Sequence, residues 1–157
     1  MKAVLISIRP KWCELIASRK KTIEVRKTRP KLETPFKCYI YQTLPKSGDW
    51  NDRDGHVIGE FVCDEIIEDR HGENALLFEN KGWVPFDVQK KYAPKQILYG
   101  WNISELKIYD EPKELSEFMQ CHKCEYYSGC KEHEYSCDGN YKVTRPPQSF
   151  VYVEELP

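Results

Sequence analysis

Lys21-Thr22-Ile23-Glu24-Val25-Arg26 is the stretch on which the fold turns. It alternates strictly: Ile23 and Val25 face one way, and Thr22, Glu24 and Arg26 face the other. That predicts a strand with one apolar and one polar face. Upstream, Ala3 to Ile8 is short and apolar and reads as a buried strand. Between the two, Pro10 suits the first turn of a helix. Trp12, Leu15 and Ile16 recur there at spacings of three and four, and so share a face. The helix should stop near Ser18-Arg19. A helix between two strands brings Arg9 and the start of the second strand to one rim. Glu24 and Arg26 then share a strand face with Lys21 nearby. They are either an exposed ion pair worth about 0–1 kcal/mol or, with Lys21, the wall of a polar cleft. Alternation alone does not choose.

Downstream, Pro30 and Pro35 frame a loop and Phe36 to Thr43 reads as a strand. Pro45 to Gly55 is polar and turn-rich, a candidate surface loop. His56 to Ile67 reads as one long strand with Gly59 as a bulge. Residues 68–83 carry no clear period. Asp87 to Ala93 predicts one or two helical turns, Ile97 to Tyr109 another strand, Pro112 to Met119 a short helix, and Gln148 to Val153 a last strand. No repeat, low-complexity tract or domain boundary interrupts the 157 residues. The expectation is therefore a single α+β domain over 1–157, with 120–140 as a cysteine-rich insertion. Ten Tyr and six Phe lean the composition toward strands.

No apolar run reaches the roughly 18 residues of a membrane-spanning helix. The run from Met1 to Ile8 meets Arg9, Pro10 and Lys11 without a cleavage site, so a cytoplasmic protein is expected. Net charge is -1, but it is unevenly spread. Residues 1–50 hold twelve basic and four acidic side chains, and the remainder twelve and twenty-one. A basic first third fits an anionic ligand such as a nucleotide or nucleic acid. It fits equally a solvated basic surface balanced by an acidic one.

Seven cysteines without a secretory signal argue against a disulfide framework. Cys13, Cys38 and Cys63 sit among apolar residues and read as buried thiols. The other four form Cys121-x2-Cys124-x5-Cys130-x6-Cys137. Cys-x2-Cys places two thiolates on one tight turn, and four thiolates at about 2.3 Å close a tetrahedral Zn(II) site. The intervening residues are polar and cannot build a core, so a metal would supply the folding free energy. A structural zinc is the preferred reading. An iron–sulfur cluster and free or paired thiols are the alternatives.

Leu5-Ile6-Ser7-Ile8-Arg9-Pro10, followed by Glu14 to Arg26 with its lysine–threonine–x–glutamate–x–arginine core, resembles the ASCH family of PUA-like β-barrels. Val57-Ile58-Gly59-Glu60-Phe61 resembles that family's valine–glycine–phenylalanine strand. Tyr99-Gly100-Trp101-Asn102-Ile103 and Pro146-Pro147-Gln148-Ser149-Phe150 resemble its phage and Firmicute branch. The resemblance leaves out about residues 68–95 and the cysteine insertion. It implies a mixed β-barrel with a few short helices and a small zinc-binding insertion. It also implies RNA or nucleotide binding between the first helix and neighbouring strands, with Lys21, Glu24 and Arg26 in the cleft and Ser7 and Arg9 at its edge. A similar branch hydrolyses N4-acetylcytidine with a lysine, a threonine and a glutamate. Lys21 matches its lysine, and Glu24 stands where it has threonine. Arg19 replaces the usual helix-ending glycine, so a turn without a left-handed residue is expected there.

Two functions follow. In a binding module, Arg9, Lys21 and Arg26 would contact phosphate and Glu24 would accept from a base amino group. Trp12 or Trp101 could stack on a base, although core packing is the preferred reading of both. In a small amidohydrolase, Lys21 would act as base or nucleophile and Glu24 would handle the proton. Arg19 and Lys20 would then help to lower the lysine pKa. Binding ranks first because nothing else in the chain demands catalysis.

Overall fold

β1 (Lys2–Ile8) carries six consecutive buried residues after Lys2. The cause lies in its neighbours: β1 is interior to a five-stranded sheet, in the order β7 (Ser104–Lys113), β4 (Val57–Cys63), β3 (Phe36–Gln42), β1 and β8 (Phe150–Glu154), and is covered on both faces. The structure, a computed structural model, describes residues 1–44, 55–94, 97–120 and 142–157. β1 runs parallel to β3 (Phe36–Gln42) and antiparallel to β8 (Phe150–Glu154). Val4, Ile6 and Ile8 join Cys38, Ile40 and Trp101 in one apolar cluster. Ala3 and Leu5 point to the other face, where Tyr39, Phe118 and Val143 cover them. A strand buried on both sides has no reason to alternate.

α1 (Pro10–Ala17) lies between β1 and β2 (Ile23–Arg26), as the sequence predicts. Its end differs from expectation. Arg19 takes the left-handed conformation with φ 59°. Arg19 N–H bonds to Ile16 O and Lys20 N–H to Leu15 O, at 2.8 and 2.9 Å. This is the hydrogen-bond pattern of a Schellman cap, made with arginine at the position glycine usually fills. The two cap bonds hold the strained residue in place.

β2 pairs with β6 (Leu98–Asn102), and β6 with β5 (Ile66–Asp69), in a second sheet of three strands. The long strand expected from His56 to Ile67 is therefore two. β4 (Val57–Cys63) belongs to the first sheet and β5 to the second. The strand expected from Ile97 to Tyr109 likewise divides at Ile103 into β6 and β7 (Ser104–Lys113). Each chain turns a corner from one sheet to the other. Asn102 N–H on Glu65 O and Ile103 N–H on Thr22 O, both 2.9 Å, secure these corners. At Gly59 the β4–β7 register shifts, and an added Cβ would lie 2.5 Å from Lys107 O. The bulge and the close approach together require glycine there.

A closed barrel is not what forms. Among the described residues, no backbone ladder joins β2 to the first sheet. The Arg26 guanidinium bridges that gap by donating to Ser7 O. The gap is where the polar side chains of β2 point. The helix expected over Pro112 to Met119 is also absent. β7 runs through Pro112, and only Leu115–Glu117 makes a 3-10 turn. β7 is an edge strand, where a missing N–H costs no ladder bond. Residues 68–83, unassigned from sequence, hold α2 (Ala75–Gly82), and α3 (Phe86–Tyr92) follows it. Phe78 of α2 is fully buried against Ile23, Val25 and Leu98. A Cβ on Gly100 would lie 2.5 Å from the Phe78 ring, so the glycine in β6 lets α2 dock.

Candidate functional site

A cleft of about 460 Å³ opens at the unclosed edge between β1 and β2. β1 contributes Ser7, the start of α1 contributes Arg9 and Trp12, and β2 contributes Glu24, Val25 and Arg26. Lys21 enters from the turn between α1 and β2. The far wall is Val84, Val88 and Tyr92, and the segment before β8 adds Pro147 and Gln148. Ser7, Arg9, Lys21, Glu24 and Arg26, singled out from sequence, thus line one cleft. Alternation places Glu24 and Arg26 on it while Ile23 and Val25 anchor the strand to α2.

Lys21 is 2% exposed. The strand begins only at Ile23, so Lys21 is free of its alternation and turns inward. Its ammonium donates to Gly82 O at 2.5 Å and lies 3.3 Å from Glu24 Oε2. It also sits 5.0 Å from the centre of the Trp12 ring, within cation–π range. Gly82 is the last residue of α2, so Lys21 meets the negative end of that helix. Burial lowers the Lys21 pKa below 10.5; Glu24 works against this and Arg26 adds to it. Arg19 and Lys20, expected to lower it, contribute nothing, because both point to solvent and Arg19 reaches Leu106 O instead.

Arg26 Nε approaches Glu24 Oε1 to 3.1 Å, but its N–H does not point at that oxygen. The contact is an ion pair and not a hydrogen bond. Glu24 thus lies between two cations in a nearly buried row, not in an exposed ion pair. Ser7 Oγ donates to Pro147 O at 2.6 Å, which fastens the segment before β8 to the cleft edge. Arg9 is exposed, and among the described residues its guanidinium has no hydrogen-bond or ion-pair partner. The cleft lining therefore carries three cations and one carboxylate.

Trp12 is half-buried and lines the cleft, whereas Trp101 is fully buried. The Trp101 ring packs edge-on against Phe36 and Phe150, and its N–H donates to Thr28 O at 3.3 Å. It has no face to offer a base. Sequence reading missed Val88 and Tyr92, since α3 reaches the cleft only through the docking of α2. Trp83 helps that docking by donating from Nε1 to Lys20 O at 3.0 Å.

Cys121, Cys124, Cys130 and Cys137 lie outside the described residues. Among the described residues, no group of three His, Cys, Asp or Glu side chains could hold a metal, and no helix is long and apolar enough to cross a membrane. Cys13, Cys38 and Cys63 are buried thiols, not disulfides. Burial pushes Cys38 well up and Cys63 up to about 12, so neither is a ready nucleophile.

No protein-family model matches the sequence, and no curated protein does. Solved structures do. The crystal structure of ASCH from Zymomonas mobilis is 19% identical and superposes with a TM-score of 0.59, over 98% of this chain and 88% of that one. A Tyr-to-Phe mutant of that protein gives the same TM-score at 19% identity, over 99% and 92% of the two chains. A Ser-to-Ala mutant gives 0.59 at 18% identity, over 98% and 89%. At this identity the likeness establishes a shared fold across nearly the whole chain.

Proposed function

We propose that this chain is an ASCH-family module that binds RNA or a nucleotide in the cleft between α1, β2 and α3. The carrying observation is the lining of three cations against one carboxylate, with Trp12 and Tyr92 beside them. Arg9, exposed and unpartnered among the described residues, suits a phosphate. Arg26 and Lys21 hold Glu24 still, so that its carboxylate can accept from a base amino group. The shared fold and the lysine–threonine–x–glutamate–x–arginine run favour the family. The Tyr99–Ile103 and Pro146–Phe150 runs favour its phage and Firmicute branch, and a cytoplasmic location goes with it.

The test measures binding of single-stranded RNA and of nucleoside monophosphates against salt. Affinity for RNA should fall as salt rises. Affinity indifferent to salt and to Arg9→Ala would place the ligand elsewhere.

A second reading, hydrolysis of N4-acetylcytidine-type nucleosides with Lys21 and Glu24, has the lowered Lys21 pKa in its favour. Against it, the Lys21 ammonium is already engaged by Gly82 O, Glu24 and the Trp12 ring. Incubation with N4-acetylcytidine decides. Cytidine formed by the wild type and lost in both Lys21→Ala and Glu24→Ala would establish the hydrolase.

For Cys121, Cys124, Cys130 and Cys137 the proposal is a structural zinc, supported by their spacing. Elemental analysis should find about one zinc per chain. Brown protein would mean iron–sulfur, and metal-free, fully folded protein would mean neither.

A further inference from the structure

Tyr92 differs from the other cleft residues in origin. It lies on α3, within the segment of about 68–95 that the family resemblance leaves out. It is 38% exposed, yet it lines the same cleft as Arg9, Glu24 and Trp12. The Lys27 ammonium sits 4.4 Å from the centre of its ring. Lys27 follows directly on Arg26, the last residue of β2, and is exposed. Among the described residues it has no acidic partner. An aromatic ring and an unneutralised cation therefore stand together at the cleft mouth. The inner part already holds its own ring and charges, namely Trp12 with Lys21, Glu24 and Arg26.

This wall is held in place. Gln89, 4% exposed, donates from Nε2 to Ala75 O at 2.9 Å and to Val84 O at 2.7 Å, which locks α3 onto α2. Lys21 holds the end of α2 at Gly82, and Thr22 N–H bonds to Lys81 O at 2.9 Å. A ring on a fixed support presents its face at little entropic cost, which is what base stacking needs.

Resting on the nucleotide-binding reading above, we propose that Tyr92 and Lys27 form a second nucleotide station at the cleft mouth. The ligand is then a single-stranded nucleic acid of at least two linked nucleotides, not a free nucleotide. One base enters toward Glu24. The neighbouring base stacks on Tyr92, and Lys27 leaves the ring for the phosphate between them.

The experiment compares a mixed-sequence ten-nucleotide RNA, followed by fluorescence anisotropy, with the four nucleoside 5′-monophosphates, followed by calorimetry. Tyr92→Ala should weaken RNA binding roughly five- to hundredfold and monophosphate binding much less. Tyr92→Phe should restore RNA binding. Lys27→Gln should reduce the slope of log affinity against log salt by about 0.7, one phosphate on a single strand. Tyr92→Ala that leaves RNA affinity unchanged overturns the inference. So does Tyr92→Ala that weakens RNA and monophosphate alike, since Tyr92 would then belong to the inner site. Wild-type protein that binds neither probe overturns the binding function itself, a result distinct from either.

Discussion

Two clefts of nearly equal size flank α3, about 460 Å³ on one side and about 450 Å³ on the other. Val88 and Tyr92 face the first; Phe86, Gln89 and Lys90 face the second. Their polar groups are used differently. In the second cleft most of them serve the turn beside it, and Lys90 lies over the Phe86 ring. Asp69 Oδ1 accepts from Gly72 N–H at 2.6 Å, Glu73 accepts from His71 N–H at 2.8 Å, and Gln89 Nε2 donates to two carbonyls. In the first cleft, charges from β1, α1 and β2 converge, and Arg9 is left over without a partner among the described residues. Volume therefore does not distinguish a site from a crevice here. Convergence of charges from separate elements does.

The largest expected break in this contrast is Lys21→Ala. It removes a buried cation, leaves Gly82 O without its donor and unbalances Glu24. Breaking a buried pair costs about 3–5 kcal/mol, so chemical denaturation should show a loss of that order. Lys21→Met, which keeps the stem packed, should cost less. Lys90→Ala, in the second cleft, should stay within about 0.5 kcal/mol.

Arg9→Ala tests the unspent charge. It should weaken RNA binding by about 1.5–3 kcal/mol, the worth of a charged hydrogen bond, without a change in thermal stability. Lys90→Ala should leave RNA binding alone. Equal losses in both variants would remove the distinction between the clefts.

The two sides also differ in pH response. The folded Lys21 pKa lies below 10.5, so between the two values the unfolded chain holds more protons. Stability from this group therefore rises with pH across that window, and Lys21→Met should abolish the rise. Glu73 shifts stability in the same direction, but in the acid range. Backbone N–H groups lower its pKa from 4.5 to about 2. Its contribution is complete above 4.5 and is lost as pH falls toward about 2, opposed in part by Asp69, whose pKa burial raises. Glu73→Gln should flatten the acid limb that denaturation at several pH values traces.

The smallest effect is at the corner leading into the first cleft. Arg19 at φ 59° carries left-handed strain of roughly 1–2 kcal/mol. Arg19→Gly relieves it but gives the unfolded chain back about 0.4–1 kcal/mol of entropy. A net gain of about 0.5–1 kcal/mol in a denaturant titration is expected. A loss would mean that the side-chain bond from Arg19 to Leu106 O matters more than the strain.

By itself the sequence determined what local periodicity can encode. The strand, helix and strand from Ala3 to Arg26 are legible because Ile23 and Val25 alternate with Glu24 and Arg26, and because Trp12, Leu15 and Ile16 recur at helical spacing. That unit brings Arg9 and the start of β2 to one rim, and the family resemblance adds Ser7 to it. Only the tertiary structure decided where strands change sheets. Alternation runs through the corners at Asp64–Glu65 and Ile103 unmarked, because a corner alters which sheet a strand joins and not which residues are apolar. It likewise decided that α2 forms. Phe78 packs into a gap left by Gly100, a partner 22 positions away that no local pattern announces. The burial of Lys21 follows from the same docking, since the carbonyl that accepts its hydrogen bond belongs to Gly82 of α2. A lysine is hidden from water only when a distant chain brings it a partner, and that pairing is not written in its own neighbourhood.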